Sequence, residues 1–495
     1  MPIKQDNRSL AIKTPLGADV LGLRSFSVHE QLGRLFQIEA EMASEKGDIN
    51  LDAVVGNDVT IRMNIGHGDK RYFHGFVSRM VQTGKRDRYH HYRATIVPWL
   101  WFLTRTSDCR VWEAAEDPSQ GKTVPDVIEA VFKLRGFSDY KLRLSGTYPK
   151  REFIVQYRET DFNFVSRLME QEGIYYYFEH QDGKHTLVLA DSKSAHDPFP
   201  GYDKVVFNEH ELAAVDREDI NEWAMEKEVR PVKTALNDYN FQTPKASLLS
   251  NTNTSRQHGK AQYEIYDYPG GYLDTGSGDK LVQVRLDELQ SQYEQLHGQA
   301  SARGLAAGYT FELKGHPRSD QNRQYLIISV SLHADAGEFD SKPGEGEFFS
   351  CGFSCIAKTQ QFRPARLTPK PVVQGVQTAF ATGPAGQEVY VDTYGRVKVQ
   401  FHWDRYGEND QNSSCWVRVS QAWTGNGWGH IANPHIEEEV IVAFLEGDPD
   451  RPIVVGRVYN ATHMPPYPLP ASAAIIGMKT SSHKTTAVCK VGSKS

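Results

Sequence analysis

Up to about residue 230 the chain alternates short apolar runs with polar turns at a period of two. Asp58-Val59-Thr60-Ile61-Arg62-Met63 and Tyr72-Phe73-His74-Gly75-Phe76-Val77 read as strands with one buried face, which predicts antiparallel sheet or barrel units. Two helical stretches interrupt this pattern. The first opens at Thr123 with Asp126 three residues on, a capping-box variant, and then places Val124, Val127, Ile128, Val131 and Phe132 at helical spacing before Gly136. The second runs from near Thr160 to Gly173 with Phe162, Val165, Leu168 and Met169 inward. After it, residues 174–178, an Asp182-Gly183 turn and residues 186–189 predict a hairpin.

Polar residues 250–255 and Pro269-Gly270-Gly271 lead into the longest helical pattern. Val282, Leu286, Leu289, Tyr293, Leu296 and Ala300 form one stripe, closed by Gly304 and Gly308, which predicts a helix packed on its own domain. From Ser341 to Pro384 the chain is rich in Gly and Pro, and the prolines of residues 363–371 mark the approach to a domain boundary. Beyond it, residues 388–392, a Thr393-Tyr394-Gly395 turn and residues 396–403 read as a hairpin. Val397, Val399, Phe401 and Trp403 share one face; Lys398, Gln400 and His402 take the other. Residues 415–421, 439–445 and 452–459 supply three more strands, and five short strands in so small a span predict a closed barrel of the OB type.

Composition narrows the function. At 495 residues the prior is roughly three domains. With 39% apolar and 24% charged residues, 23 Tyr and 23 Phe, the chain is too rich in core-forming side chains to be mostly disordered. Its net charge of −6 supplies no overall positive field, so a nucleic-acid partner would need a local basic patch. No apolar run is long enough to span a bilayer, and residues 1–8 lack the apolar core of a secretory signal. Five scattered cysteines, Cys109, Cys351, Cys355, Cys415 and Cys489, are the usage expected of reduced thiols.

Chemistry is sparse. No Gly-x-Ser-x-Gly elbow and no Gly-x-x-x-x-Gly-Lys-Ser/Thr loop occurs. His90-His91, His180 with His185, Cys351 with Cys355, and His430 with His435 match no zinc pattern and are read as structural or surface groups. On an OB barrel, Tyr394, Arg396, Lys398, His402, Arg405, Trp416 and Arg418 would supply a basic, aromatic face for a single strand. Trp403, Trp416, Trp423 and Trp428 are read more simply as core and subunit-contact residues.

The run Asp392-Thr393-Tyr394-Gly395-Arg396-Val397-Lys398-Val399-Gln400-Phe401-His402-Trp403-Asp404-Arg405 resembles the barrel of the VgrG family, the spike proteins of the type VI secretion system. Trp416 through Gln421 with Trp423, Gly425, Trp428 and Gly429 is similar to it as well, as is the segment from Val440 to Ile453, with Glu446-Gly447-Asp448-Pro449-Asp450-Arg451-Pro452 inside it, closing on Gly456-Arg457-Val458-Tyr459-Asn460. Residues 157–162 and 172–178 resemble the family's N-terminal hub, and the likeness covers most of residues 1–480.

The resemblance implies a mainly β, α+β chain: residues 1–375 as a phage tail hub-like region of two β-barrel units with inserted helices, 380–465 as an OB-fold barrel, and 466–495 as a linker and the start of a truncated β-helix needle. Tyr394, Gly395, Arg396, Trp403, Trp416, Trp423, Gly425, Trp428, Gly447, Asp448, Pro449, Arg451, Pro452 and Gly456 are its signature residues. Its implied function is mechanical: a homotrimer that caps the secretion tube, pierces target membranes on sheath contraction and carries effectors. It would be made in the cytoplasm and delivered by the apparatus without a signal peptide. Implied partners are the hexameric tube protein, baseplate proteins and, where a needle is present, effector or adaptor and tip proteins. No enzyme, cofactor, metal or nucleic acid is implied, and the 35 residues after Asn460 are too few for a catalytic domain. The alternatives are a prophage contractile-tail baseplate hub and an OB-fold protein binding single-stranded nucleic acid or glycan.

One departure stands out. Where the family usually reads Pro-Arg-Ile-Gly-Gln-Glu-Val, this chain has Pro434-His435-Ile436-Glu437-Glu438-Glu439-Val440. Near a three-fold axis the added carboxylates would repel three times over, so the expectation is a weaker or pH-sensitive trimer, whereas an outward-facing loop would tolerate them. Trimer stability compared at pH 5 and pH 8 checks it, and equal stability removes it.

Overall fold

The period-two runs become strands in the computed structural model, which describes residues 3–115, 118–209, 218–340 and 344–479. Ser341, residues 480–484 of the supposed needle start, the tail 485–495 and Cys489 lie outside the described residues. Two units emerge. The first comprises Met1–Asp108, Lys122–Arg151 and Arg158–Lys370, and the second Cys109–Gly121, Glu152–Tyr157 and Pro371–Ser495. The later unit border falls inside the proline-rich 363–371 segment, where each proline withdraws a backbone donor from pairing.

In the first unit, twelve strands of the described residues form one sheet. The predicted strands at residues 58–63 and 72–77 are the antiparallel pair Asp58–Asn64 and Lys70–Arg86, with Asp58 opposite Phe76. Leu10–Lys13 flanks them, and Tyr89–Val97, Gln37–Ser44 and Gly22–Gln31 continue the sheet. Gly22–Gln31 then pairs with Gln324–Ala336, bringing in Glu347–Ala357, Glu294–Ala300 and Ile220–Lys227 from the later part of the chain. Inner-face residues Phe26, Val28, Ile38, Ala40, Val330 and Leu332 are buried.

Helix α1 (Val124–Leu134) carries the anticipated reciprocal cap between Thr123 and Asp126, and Val124, Val127, Ile128, Val131 and Phe132 are buried. Helix α2 (Asp161–Glu172) starts at Thr160, whose hydroxyl accepts from the Asn163 amide, and stops at Gly173 with φ +73°. Phe164, not Phe162, is the fully buried aromatic of α2. A Cβ at Gly173 would also lie 2.7 Å from Val284 and 2.9 Å from Arg363, so that position needs glycine twice over.

Helix α3 (Thr275–Gln290) is shorter than predicted. Leu296 and Ala300 lie instead on the Glu294–Ala300 strand, opposite Cys355 and Cys351. A spacing of four residues satisfies a two-residue period as well as a helical one, so the stripe ran through the real boundary. Gly304 and Gly308 do not close a helix. A Cβ on either would meet the ring of Tyr202 or Tyr177 at 2.1 and 2.4 Å.

Tyr175–Gln181 and Lys184–Ala190 form the expected hairpin, with Tyr140–Arg143 added in parallel. Its cross-strand pair His180 and His185 belongs to a buried chain of imidazoles. The Trp99 amide donates to His185 Nε2 at 3.0 Å, so the His185 proton sits on Nδ1 and points at His74 Nδ1, 2.8 Å away. His74 in turn faces Asp58 through Nε2, and its own amide donates to His180 Nδ1. Phe36 packs on Phe178, His180 and His185, with ring centroids 4.9 to 5.6 Å away. Both ring nitrogens of His185 are committed to the neutral form.

Burial, with the neighbouring His180 and His74, lowers the His185 pKa to about 2, and burial lowers His196 to about 4. The unfolded chain therefore binds protons below about pH 6.5 that the folded unit does not, so stability falls as pH drops through that value, by up to about 1.4 kcal/mol per pH unit for each such histidine. Thermal unfolding at pH 7, 6 and 5 is expected to show a falling midpoint, with a shallower fall in His185→Gln.

Candidate functional site

The second unit is built around five strands. Lys398–Phe401, Gln377–Thr382, Glu439–Phe444, Pro452–Arg457 and Arg418–Val419 are neighbours in that order. An antiparallel bridge between Val397 and Val417, with N–H···O distances of 2.9 and 2.8 Å, joins the first strand to the last and closes the barrel. Its core holds Ala379, Ala381, Val397, Val399, Phe401, Val417, Val440, Val442, Phe444 and Val454. Phe153 and Val155 of the Glu152–Tyr157 segment complete it.

Three sequence expectations are corrected here. Residues 388–392 are not a strand; Lys398–Phe401 pairs with Gln377–Thr382, which lay hidden in the Gly- and Pro-rich stretch. The 415–421 strand contracts to Arg418–Val419. Lys398 and Gln400 do take the face opposite Val399 and Phe401, but neither is exposed, because the 404–414 loop covers them. Lys398 Nζ donates to the Ser414 carbonyl at 2.8 Å and lies 5.0 Å over the Trp416 ring; Gln400 donates to the Asp404 carbonyl. Lys398 is thus withdrawn from the surface and Arg396 is tied to Asp392, while Tyr394, His402, Arg405 and Arg418 of the same expected face are exposed.

Most signature residues build turns. Asp392 accepts from the amides of Tyr394 and Arg396 and from Arg396 Nε at 2.8 Å, and Gly395 takes φ +69° at the bend. Tyr394 is exposed beneath the Arg396 guanidinium. Trp403 stacks on Phe401 at 4.9 Å and donates to Gln377 Oε1 at 2.9 Å, while Trp416 packs on Tyr390. Gly447 (φ +70°) accepts from the Val373 amide. Asp448 caps the Asp450 amide, Arg451 donates its amide to the Asp448 carbonyl, and the buried Pro449 leads to Pro452 opposite Phe444. Gly456 lies across from Ile441, whose side chain a Cβ would touch at 3.4 Å.

Asp450 was quoted in the resemblance without a role. Its Oδ1 accepts from the Val155 amide at 2.8 Å, which seats the Glu152–Tyr157 segment on the barrel. No local pattern marks this contact, because its partner lies 295 residues away.

Trp423 and Trp428 are 63% and 60% exposed, crossed edge to face at 5.1 Å on a short reversal bridged by Thr424 and Gly429. Gly425 is needed there, since a Cβ would lie 2.3 Å from the Trp428 ring. Neighbouring Ile431 is 73% exposed, so the barrel presents a large apolar patch where a monomer would ordinarily be polar.

The remaining candidates stay apart. Cys351 and Cys355 are buried in the Glu347–Ala357 strand, and burial pushes the Cys351 thiol up to about 12. The Cys415 thiol, also buried, is pushed well up. His435 faces Glu388 at 3.4 Å, while the His430 amide donates to the Trp423 carbonyl. Among the described residues no group of three or more His, Cys, Asp or Glu is placed to hold a metal ion.

The acidic departure has local uses. Glu438 faces Arg457 at 3.3 Å, and Glu439 accepts from Asn460 at 3.0 Å. Among the described residues Glu437 has no such contact, and it sits at φ +72°, the conformation that suits the glycine usual in the resembled family. Replacing Glu437 with Gly is expected to stabilise this unit by about 0.5–1 kcal/mol in denaturant unfolding; an unchanged midpoint would show that the backbone there carries no strain.

Known proteins align with both units. Residues 29–338 match the family model described as phage tail baseplate hub (GPD), and residues 388–459 match the type VI secretion system/phage-baseplate injector OB domain. The Pseudomonas aeruginosa type VI secretion system spike protein VgrG1b is 45% identical over 98% of this chain, and VgrG1a of the same organism is 44% identical over 97%. The chain spans 64% of the first relative's length and 74% of the second's. An E. coli component of the type VI secretion system, described as structurally similar to the T4 tail proteins gp27 and gp5, superposes with TM-score 0.64 at 19% identity, covering 91% of this chain and 99% of that one. A chain of a Francisella PdpA–VgrG complex superposes with TM-score 0.56 at 10% identity, over 89% of this chain and 67% of that one.

Proposed function

Because this chain belongs to the VgrG family of type VI secretion spike proteins, we propose that it acts as a homotrimeric hub and spike base, coupling the secretion tube to whatever the spike carries. The reading rests on one observation above the others: a hub-type sheet and an injector-type OB barrel occur in one chain in that order. Sequence likeness at 44–45% to secretion spikes favours secretion over a prophage tail.

The work proposed is mechanical. Residues 1–375 serve as the ring-forming hub and 380–465 as the neck, and the chain leaves the cell through the apparatus. Tube and baseplate proteins are its assembly partners, with effectors or adaptors carried at the tip. The signature residues shape the barrel: Gly395 and Arg396, with Asp392, and Gly447 with Asp448 hold the turns, and Trp423 with Trp428 meets a second copy. Two crossed tryptophans left in water are a recurrent signature of a subunit contact, where aromatic side chains dominate the binding energy. No catalytic step is assigned to these residues.

Light scattering on the purified chain tests the reading. The expected mass is three times 55.9 kDa, about 168 kDa. The double variant Trp423→Ser/Trp428→Ser is expected to shift the population toward monomer while keeping the wild-type circular dichroism spectrum. A wild-type mass of 55.9 kDa would remove the trimer, and a variant that still forms the full trimer would remove the tryptophans from the contact.

A further inference from the structure

Within the first unit, Lys233–Leu236 is the middle strand of a three-stranded sheet, with Ser250–Asn253 antiparallel on one side and Glu264–Asp267 parallel on the other. Helix α3 packs on the first two of these strands, and Leu236, Leu248, Tyr272, Leu281 and Val282 form the small core between them. No residue of Glu264–Asp267 enters that core, and all four are exposed. The strand and its flanks nevertheless carry side chains that ordinarily seek cover: Tyr263, Ile265, Tyr266 and Tyr268 are 53%, 41%, 56% and 48% exposed.

Three kinds of binding group are left without a partner there. Among the described residues no strand pairs with the outer edge of Glu264–Asp267, so every second residue turns its N–H and C=O away from the sheet. The three tyrosine rings make no ring stack and hold no cation among the described residues, although Tyr293, in the same unit, holds the Arg256 guanidinium at 4.1 Å. Neither Glu264 nor Asp267 forms an ion pair among the described residues, even though Lys233 is the register neighbour of Glu264. Asp267 Oδ1 accepts only the next amide, that of Tyr268. Edge strands that need only stay soluble are blunted with lysine, proline or a bulge. This one instead carries carboxylates and aromatic rings, with Glu264 and Tyr266 on one face, and both kinds of group recognise a guanidinium or ammonium group.

We propose that the Glu264–Asp267 edge is a docking site for an extended basic segment of another protein, which adds to the sheet as a fourth strand. Its main-chain groups complete the open ladder. Arginine or lysine side chains at alternate positions lie on the face that carries Glu264 and Tyr266, with Tyr268 beyond them, against the carboxylate and over the rings. The inference goes beyond the spike reading: it rests on the open edge and its side chains, and the trimer mass is read separately from it.

The test is calorimetric titration of the full chain with a synthetic peptide of about nine residues that alternates Arg with Val and Thr. Binding is expected at low salt and should weaken as salt rises. Glu264→Lys and Tyr266→Ala should each weaken it by about fivefold or more, while Tyr266→Phe, which keeps the ring, should bind as the wild type does. The same peptide N-methylated at alternate amides, on either set, should lose binding in one of its two versions, because a fourth strand needs those donors. Four results would overturn the proposal: no binding, binding of both N-methylated versions at full strength, equal binding of a peptide with Glu in place of Arg, or self-association of the protein that Glu264→Lys abolishes. The last would assign the edge to a second copy of the chain. A trimer mass unchanged by Glu264→Lys keeps this test separate from that of the spike reading.

Discussion

One strand pairing holds the first unit together. Gly22–Gln31 runs against Gln324–Ala336 from Gln31 opposite Ser329 to Ser25 opposite Asp335, and without it the sheet path would divide into an early and a late half. Ser27 and His333, hydrogen bonded at 2.9 Å on its outer face, are 306 residues apart in the chain. The entropy of closing so long a loop grows only with the logarithm of its length, so the pairing is affordable at equilibrium. Its cost is kinetic, because contacts distant in sequence form late. The inner-face pair of Val28 and Leu332, both buried, supplies the apolar contact that makes closure favourable.

The parts of this fold legible in the sequence are those determined by neighbours a few residues away. Helices α1 and α2 announce themselves by their caps, Thr123 with Asp126 and Thr160 with Gly173, because capping chemistry is local. The Asp182-Gly183 hairpin is legible for the same reason. The end of α3 was not, since Leu296 and Ala300 keep a spacing that a strand also satisfies. Gln377–Thr382 escaped notice because its partners lie between 16 (Thr382 to Lys398) and 65 (Gln377 to Val442) residues onward and its own composition signals only a loop.

The barrel shows the same division. Its turns were marked by glycine and aspartate at fixed offsets, and the residues quoted for the resemblance do occupy those turns. What each one holds was not legible. Asp450 captures an amide from a segment far upstream, and the Lys398 ammonium is enclosed by a loop whose path no periodicity describes. Buried polar groups of this kind depend on partners brought in by the fold, so their role appears only when the partner is known. The buried imidazoles follow the same rule: His180 and His185 were recognised as a cross-strand pair, whereas His74 and the Trp99 amide, which determine their protonation, come from elsewhere in the chain.

The second unit takes Cys109–Gly121 and Glu152–Tyr157 as well as the residues from Pro371 onward, so the backbone passes between the units five times: after residues 108, 121, 151, 157 and 370. A single linker would deliver any pull on the barrel to one peptide segment. Here five covalent strands share it, and Phe153 and Val155 sit inside the barrel core while both ends of their segment continue into the other unit. The barrel therefore has no complete core if it is cut out at residue 371, and a protease nick at any one crossing leaves four others intact. The units are laced together in the manner of a rope with several strands, by chain topology itself.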